Sequence, residues 1–234
     1  LTNFLFIAQK QIKQIKGILM KKSLIIFDLD GTLIDSVPDL TDGVDKMLAH
    51  FGKSPAGMKR VRNWVGNGSV TLVERALIWA NLPLDGLDHA HELFLTEYAT
   101  CQGKTVEYDG VTDGLKRLLV HGFTLALCTN KPSRFLPDIL TNMGWTDVFA
   151  CVVGGDTLPT KKPNPDPLLH ICHTLGVNTS HAVMVGDSKN DILAGKNAGI
   201  TTLALTYGYN YGEPIIQSHP DGVFDDFGDL VAFL

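Results

Sequence analysis

Five short apolar runs rich in β-branched residues punctuate the chain: Ser23–Asp28, Phe123–Cys128, Val148–Val153, Ala182–Val185 and Thr201–Leu205. They lack the in/out alternation of a half-solvated sheet, so they predict strands buried on both faces, as in a parallel sheet. Between the last four, apolar residues recur at helical spacing over Arg134–Met143, Pro165–Leu175 and Asp191–Ala198. Ser133 is placed to cap the first of these helices. Gly144, Gly176 and Gly199 fall just past the three helix ends, where a left-handed residue is wanted. Strand and helix in alternation predict right-handed crossovers and a doubly wound parallel α/β sheet.

One connection breaks this rhythm. A strand–helix–strand unit takes about 30 residues, yet the chain runs roughly three times as far from Asp30 to Phe123. Val37–Phe51, Gly57–Trp79 and Asp88–Cys101 read there as amphipathic helices with no strand between them. An all-helical domain over 37–104, inserted into a core made of 21–36 and 105–234, accounts for this most economically. The stretch 1–20 reads as an N-terminal extension ahead of Met20. Its apolar start precedes Lys10, Lys13 and Lys16, the reverse of a secretory signal.

Composition narrows the function. A formal net charge of -5 over 234 residues, with no basic block, argues against nucleic acid as the main partner. No apolar run approaches the roughly 20 residues that span a bilayer. The four cysteines show no Cys-x-x-Cys spacing, and Cys128 and Cys151 sit inside apolar runs. Reduced thiols in a cytoplasmic protein are the expectation.

The chemistry gathers where strands end. Ligands of open parallel sheets bind beyond the carboxyl ends of the strands. The first apolar run ends in Asp28-Leu29-Asp30-Gly31-Thr32 and the second in Thr129-Asn130-Lys131. The fourth ends in Gly186-Asp187-Ser188, with Asp191 a helical turn on, and Thr160-Lys161-Lys162-Pro163 lies between the third and fourth. Each piece alone suits a turn or a helix cap. Together they converge on one sheet edge. Crowded carboxylates repel unless a cation sits among them. Asp28, Asp30 and Asp187 offer hard oxygens, too few to enclose Ca2+ but suited to Mg2+ that shares its shell with water and phosphate. Thr129, Lys162 and the backbone N–H groups after Asp28 can hold phosphoryl oxygens.

In order and spacing, Asp28-Leu29-Asp30-Gly31-Thr32, Thr129-Asn130, Lys162-Pro163 and Gly186-Asp187-Ser188 with Asp191 resemble the four motifs of the haloacid dehalogenase-like superfamily. The helical insert is similar to that superfamily's cap. More narrowly, "RNWVGNGSVTLVERAL", "KKPNPDPLL", "VGDSKNDILAGKNAG" and "TYGYNYGEPI" resemble the bacterial phosphoglycolate phosphatases within it.

The resemblance implies a Mg2+-dependent hydrolase of small phosphorylated metabolites, foremost 2-phosphoglycolate. Asp28 would attack phosphorus and Asp30 would serve as acid and then base. Asp28, the Asp30 carbonyl and Asp187 would hold the metal. Thr129 and Lys162 would bind the phosphoryl group, with Gly31 and Asn130 beside them, and Asp191 would orient Lys162 or the metal's waters. In the cap, Gly66-Asn67-Gly68 and Arg62 are placed to meet the substrate's carboxylate; the glycines equally suit a helix stop and start, and Arg62 a solvated position. A β-phosphoglucomutase-like phosphomutase and a non-catalytic phosphometabolite-binding protein are the alternatives on the same fold.

Overall fold

The computed structural model describes residues 22–101 and 103–234, so the segment read as an extension lies outside the described residues. Six parallel strands form one sheet. These are β1 (Leu24–Phe27), β4 (Thr124–Cys128), β5 (Cys151–Val153), β6 (Ala182–Gly186), β7 (Thr201–Leu205) and β8 (Gly222–Phe224). Their spatial order is β5-β4-β1-β6-β7-β8. The chain steps from β1 outward through β4 and β5, then returns to the other side of β1 for β6, β7 and β8. The reversal opens a crevice at the carboxyl end of β1, where an α/β sheet binds its ligand.

The side-chain period of two explains the unbroken apolar runs. Ile25, Phe27, Leu125, Leu127, Val183 and Val185 face helices α5 (Val111–Val120) and α9 (Phe227–Phe233). Leu24, Ile26, Ala126, Cys128, Ala182 and Met184 face α7 (Asp166–Thr174) and α8 (Lys189–Asn197). Both faces are dry, so β1 is apolar at every position and each of its residues is fully buried. All four cysteines are free thiols.

The long connection holds four helices: α1 (Val37–His50), α2 (Met58–Arg62), α3 (Ser69–Trp79) and α4 (Leu87–Ala99). They bury their own cluster, built on Val44, Met47, Val73, Leu77 and Phe94, with Tyr209 and Phe135 joining it from outside the insert. The chain leaves and re-enters through a two-stranded antiparallel ribbon of β2 (Ile34–Asp35) and β3 (Val106–Glu107). No helix among the described residues is long and apolar enough to cross a membrane.

Three expectations change. The expected helix Gly57–Trp79 is two helices, because Gly66 and Gly68 take positive φ between them. Only Cys151–Val153 of the run Val148–Val153 pairs, since Val148 is turned back by a bond from its N–H to the Trp145 carbonyl. Ser133 does not cap α6 (Leu136–Asn142): its N–H donates to Asp156 Oδ1 at 2.8 Å, and Phe135 holds the cap position.

Candidate active site

The Asp28 N–H donates to Val185 of β6 at 2.9 Å, which pins that carboxylate at the sheet's carboxyl edge. A tight turn follows, with the N–H groups of Leu33 and Ile34 bonded back to the Leu29 carbonyl. Gly31 in this turn has φ +91°, and a Cβ there would overlap the Asp187 carboxylate. The motif needs glycine for conformation and for space alike. A Gly31→Ala variant should lose about 1–2 kcal/mol of stability from the left-handed backbone alone. It should also lose most of its activity as Asp187 is displaced; a melt alongside a phosphatase assay checks both.

Asp187 accepts from Thr32 Oγ1 on Oδ1 and from the Tyr209 N–H on Oδ2, both at 2.7 Å. Asp191, in the first turn of α8, accepts from the N–H and hydroxyl of Ser188 on Oδ2 at 3.0 and 2.8 Å. Its Oδ1 lies 2.7 Å from Lys162 Nζ, which also sits 2.9 Å from Asp28 Oδ1 and donates to the Cys128 carbonyl. Asp191 thus serves both the capping box of α8 and the ion pair with Lys162. Lys162 is almost wholly buried; burial disfavours its charge, but Asp191 and Asp28 outweigh that and hold it protonated.

Asp28, Asp187 and Asp191 bring carboxylate oxygens within 4.8 Å of one another. Lys162 pairs with two of these buried carboxylates, Asp28 and Asp191, and leaves Asp187 without a cation. Burial and the neighbouring Asp191 push Asp28 up to about 7 despite Lys162. Burial, Asp191 and Asp28 push Asp187 well above its usual 3.8. The donor set and its charge fit a hard divalent cation. Each of the three also meets protein groups: Asp28 and Asp191 pair with Lys162, and Asp187 accepts from Thr32 and Tyr209. The Asp30 carboxylate lies outside this cluster.

Asp30 instead turns toward a cavity of about 40 Å³ between the sheet edge and the helical insert, lined by Asp28, Asp30, Thr129 and Lys131 from below and Gly68 and Ser69 from above. Its Oδ1 accepts from Ser36 Oγ, and both oxygens pair with Lys131 Nζ at 3.0 and 3.1 Å. Lys131 is buried, with its ammonium 5.1 Å over the Tyr98 ring. Burial works against its charge, yet Asp30 overrides this and raises its pKa. Thr129 is buried on the cavity floor. Asn130 Nδ2 bridges the Lys162 and Gly66 carbonyls at 2.9 Å each, tying two core loops to the insert.

Arg62 is corrected. Its Nη2 pairs with Asp35 Oδ2 at 2.9 Å and its guanidinium stacks 5.0 Å over Tyr209, lining a separate cavity of about 370 Å³. Asp35, on the ribbon just before α1, offers the guanidinium a carboxylate partner. The turn that follows is structural in part. Asn67 Oδ1 accepts from Arg75, and the Gly66 carbonyl accepts from both Asn130 and Asn190. Only Gly66 and Gly68 of the three reach the cavity. Lys131 is the residue that sequence reasoning passed over, although it directly follows Thr129-Asn130 at the end of β4.

Six of the expected residues therefore converge at one sheet edge: Asp28, Asp30, Thr129, Lys162, Asp187 and Asp191. Comparison with known proteins gives the family. The model of the haloacid dehalogenase-like hydrolase family matches residues 25–205, and the chain belongs to that family. It is 55% identical over 222 residues to the phosphoglycolate phosphatase of Psychrobacter arcticus, covering 92% of this chain and 96% of that one. Phosphoglycolate phosphatase 1 of Pseudomonas aeruginosa is 48% identical over 213 residues, covering 89% of this chain and 78% of its own. A crystal structure described as a predicted phosphoglycolate phosphatase from Haemophilus somnus superposes with a TM-score of 0.87 at 38% identity, covering 91% of this chain and 97% of that one.

Proposed function

We propose that this chain hydrolyses small phosphate monoesters through an aspartyl-phosphate intermediate, with 2-phosphoglycolate, giving glycolate and phosphate, as its substrate. The observation that carries this reading is the pairing of two aspartates with opposite surroundings. Asp28 is buried against Lys162 and Asp187, at the anionic centre. Asp30 is turned into the cavity on Lys131. These surroundings support a role for one in attacking phosphorus and for the other in handling protons.

In this reading Asp28 displaces the alkoxide from phosphorus and becomes an acyl phosphate. Asp30 gives its proton to the departing glycolate oxygen, then takes one from the water that cleaves the acyl phosphate. Thr129 donates to a phosphoryl oxygen, and Lys162 offsets charge at the transferring group while Asp191 holds its ammonium in place. Mg2+, held by Asp28, the Asp30 carbonyl and Asp187, would neutralise the phosphoryl charge so that a carboxylate can approach it.

Relatives 55% and 48% identical carry the phosphoglycolate phosphatase name, which favours this substrate over the hexose phosphates of a mutase. The test is phosphate release from a panel of phosphoglycolate, glycerol phosphate and hexose phosphates, with Mg2+ and with EDTA. Phosphoglycolate should lead the panel and EDTA should abolish turnover. Binding without phosphate release would make the protein a phosphometabolite binder; interconversion of sugar phosphates would make it a mutase.

A further inference from the structure

A substrate with a carboxylate beside its phosphoester brings a second negative charge into a cavity with largely apolar walls. Leu40, Val65, Leu72, Phe94 and Phe135 form much of that lining. A carboxylate cannot shed its water there without a cation to receive it. Arg62, the sequence's nominee, is committed to Asp35 outside the cavity. Among the described residues lining the cavity, one is cationic: Lys131.

We propose that Lys131 recognises the substrate's carboxylate and is the specificity-determining residue of this site, an assignment that rests on the phosphoglycolate reading above. An ammonium has three donors. Asp30 engages it on both oxygens, at 3.0 and 3.1 Å, the Tyr98 hydroxyl lies beside it, and the ammonium lines the cavity, where an entering anion competes for its donors. Its side chain is 2% exposed, and the Tyr98 ring lies under the ammonium. Burial and packing therefore fix its position, and water screens little of its charge.

The test compares 2-phosphoglycolate with 2-hydroxyethyl phosphate, which has the same kind of alkoxide leaving group and no carboxylate. Wild type should favour phosphoglycolate in kcat/KM by at least about 10–100-fold, the scale of one charge-assisted hydrogen bond. Lys131→Gln should bring that ratio close to one, while Arg62→Ala should preserve it. Equal loss on both substrates in Lys131→Gln would reduce Lys131 to a support for Asp30 and overturn the proposal. Loss of the ratio in Arg62→Ala with its retention in Lys131→Gln would overturn it too.

Calorimetry on the wild-type protein covers the case in which Lys131→Gln does not fold. The isosteres 3-phosphonopropionate and propylphosphonate, which cannot be hydrolysed, differ only in the carboxylate. The former should bind about 10–100-fold tighter, and Lys131→Arg, which keeps the charge, should retain a preference for it. Equal affinity on wild type would overturn the assignment. This measurement also separates two failures: a protein that ignores phosphoglycolate but prefers the carboxylate isostere refutes the substrate and keeps Lys131.

Discussion

The Asp187→Asn variant is expected to fold, to melt above wild type in metal-free buffer at neutral pH, and to lose about 10²–10³-fold in turnover. Asparagine keeps both hydrogen bonds: its oxygen accepts from the Tyr209 N–H, and its amide donates to the Thr32 hydroxyl, which rotates to accept. What disappears is one of the three carboxylates crowded within 4.8 Å. In the metal-free protein Asp28 is raised from 3.8 to about 7, and Asp187 is raised as well. A raised carboxyl contributes stability that is full below the unfolded value and is lost as pH climbs through the folded one. Wild-type stability without metal should therefore fall as pH rises from about 4 to about 7, and Asp187→Asn should flatten that fall. Magnesium at 100 times its dissociation constant should add about 2.7 kcal/mol to wild type and little to the variant. Thermal melts over pH, with and without Mg2+, read this independently of catalysis. Unchanged activity and an unchanged Mg2+ response in the variant would take Asp187 out of the site.

The parallel core was legible because its strands are buried on both faces. Leu24, Ile25, Ile26 and Phe27 are all fully buried, so nothing polar interrupts the run. Elements with a solvent-facing side or few residues gave weaker signals. β8 is three half-buried residues, one of them glycine, and α9 is a seven-residue helix that also contains glycine. Helix α5 did carry Val111, Leu115 and Leu118 at helical spacing, but no element is assigned from the sequence to the stretch between Gly110 and Phe123. The ribbon β2/β3 has two residues per strand, below what alternation can reveal.

At the site, the legible residues are those fixed by the backbone at strand ends. Asp28, Thr129 and Asp187 each follow a strand by at most a residue, so topology alone brings them together. The cap residues were a different problem. Where Arg62 points depends on which carboxylate lies nearest in three dimensions, and Asp35 is a neighbour only once the ribbon and α2 have packed. Lys131 reads in sequence as one more strand-end lysine. Only burial beside Asp30 and Tyr98 distinguishes it from a solvated one.

Asp28→Asn and Asp30→Asn should fail in different ways, because one removes the attacking group and the other the proton carrier. Asp28→Asn should cleave no phosphate ester, whatever its leaving group. Asp30→Asn keeps the nucleophile with its Lys162 contact. Glycolate departs as a strongly basic alkoxide that needs a proton, so phosphoglycolate hydrolysis should fall by about 10²–10⁴-fold. An aryl ester such as p-nitrophenyl phosphate expels a stable phenolate and should still phosphorylate Asp28. Water attack on the acyl phosphate then lacks its base, so rapid mixing should show a burst of about one nitrophenolate per enzyme followed by a stall. Asparagine also weakens the hold of Lys131, which now pairs with both Asp30 oxygens at 3.0 and 3.1 Å. The freed ammonium should bind phosphoglycolate more tightly than in wild type, so KM should drop along with kcat. Equal loss on both substrates with no burst would mean that Asp30 acts through the metal centre rather than as acid and base.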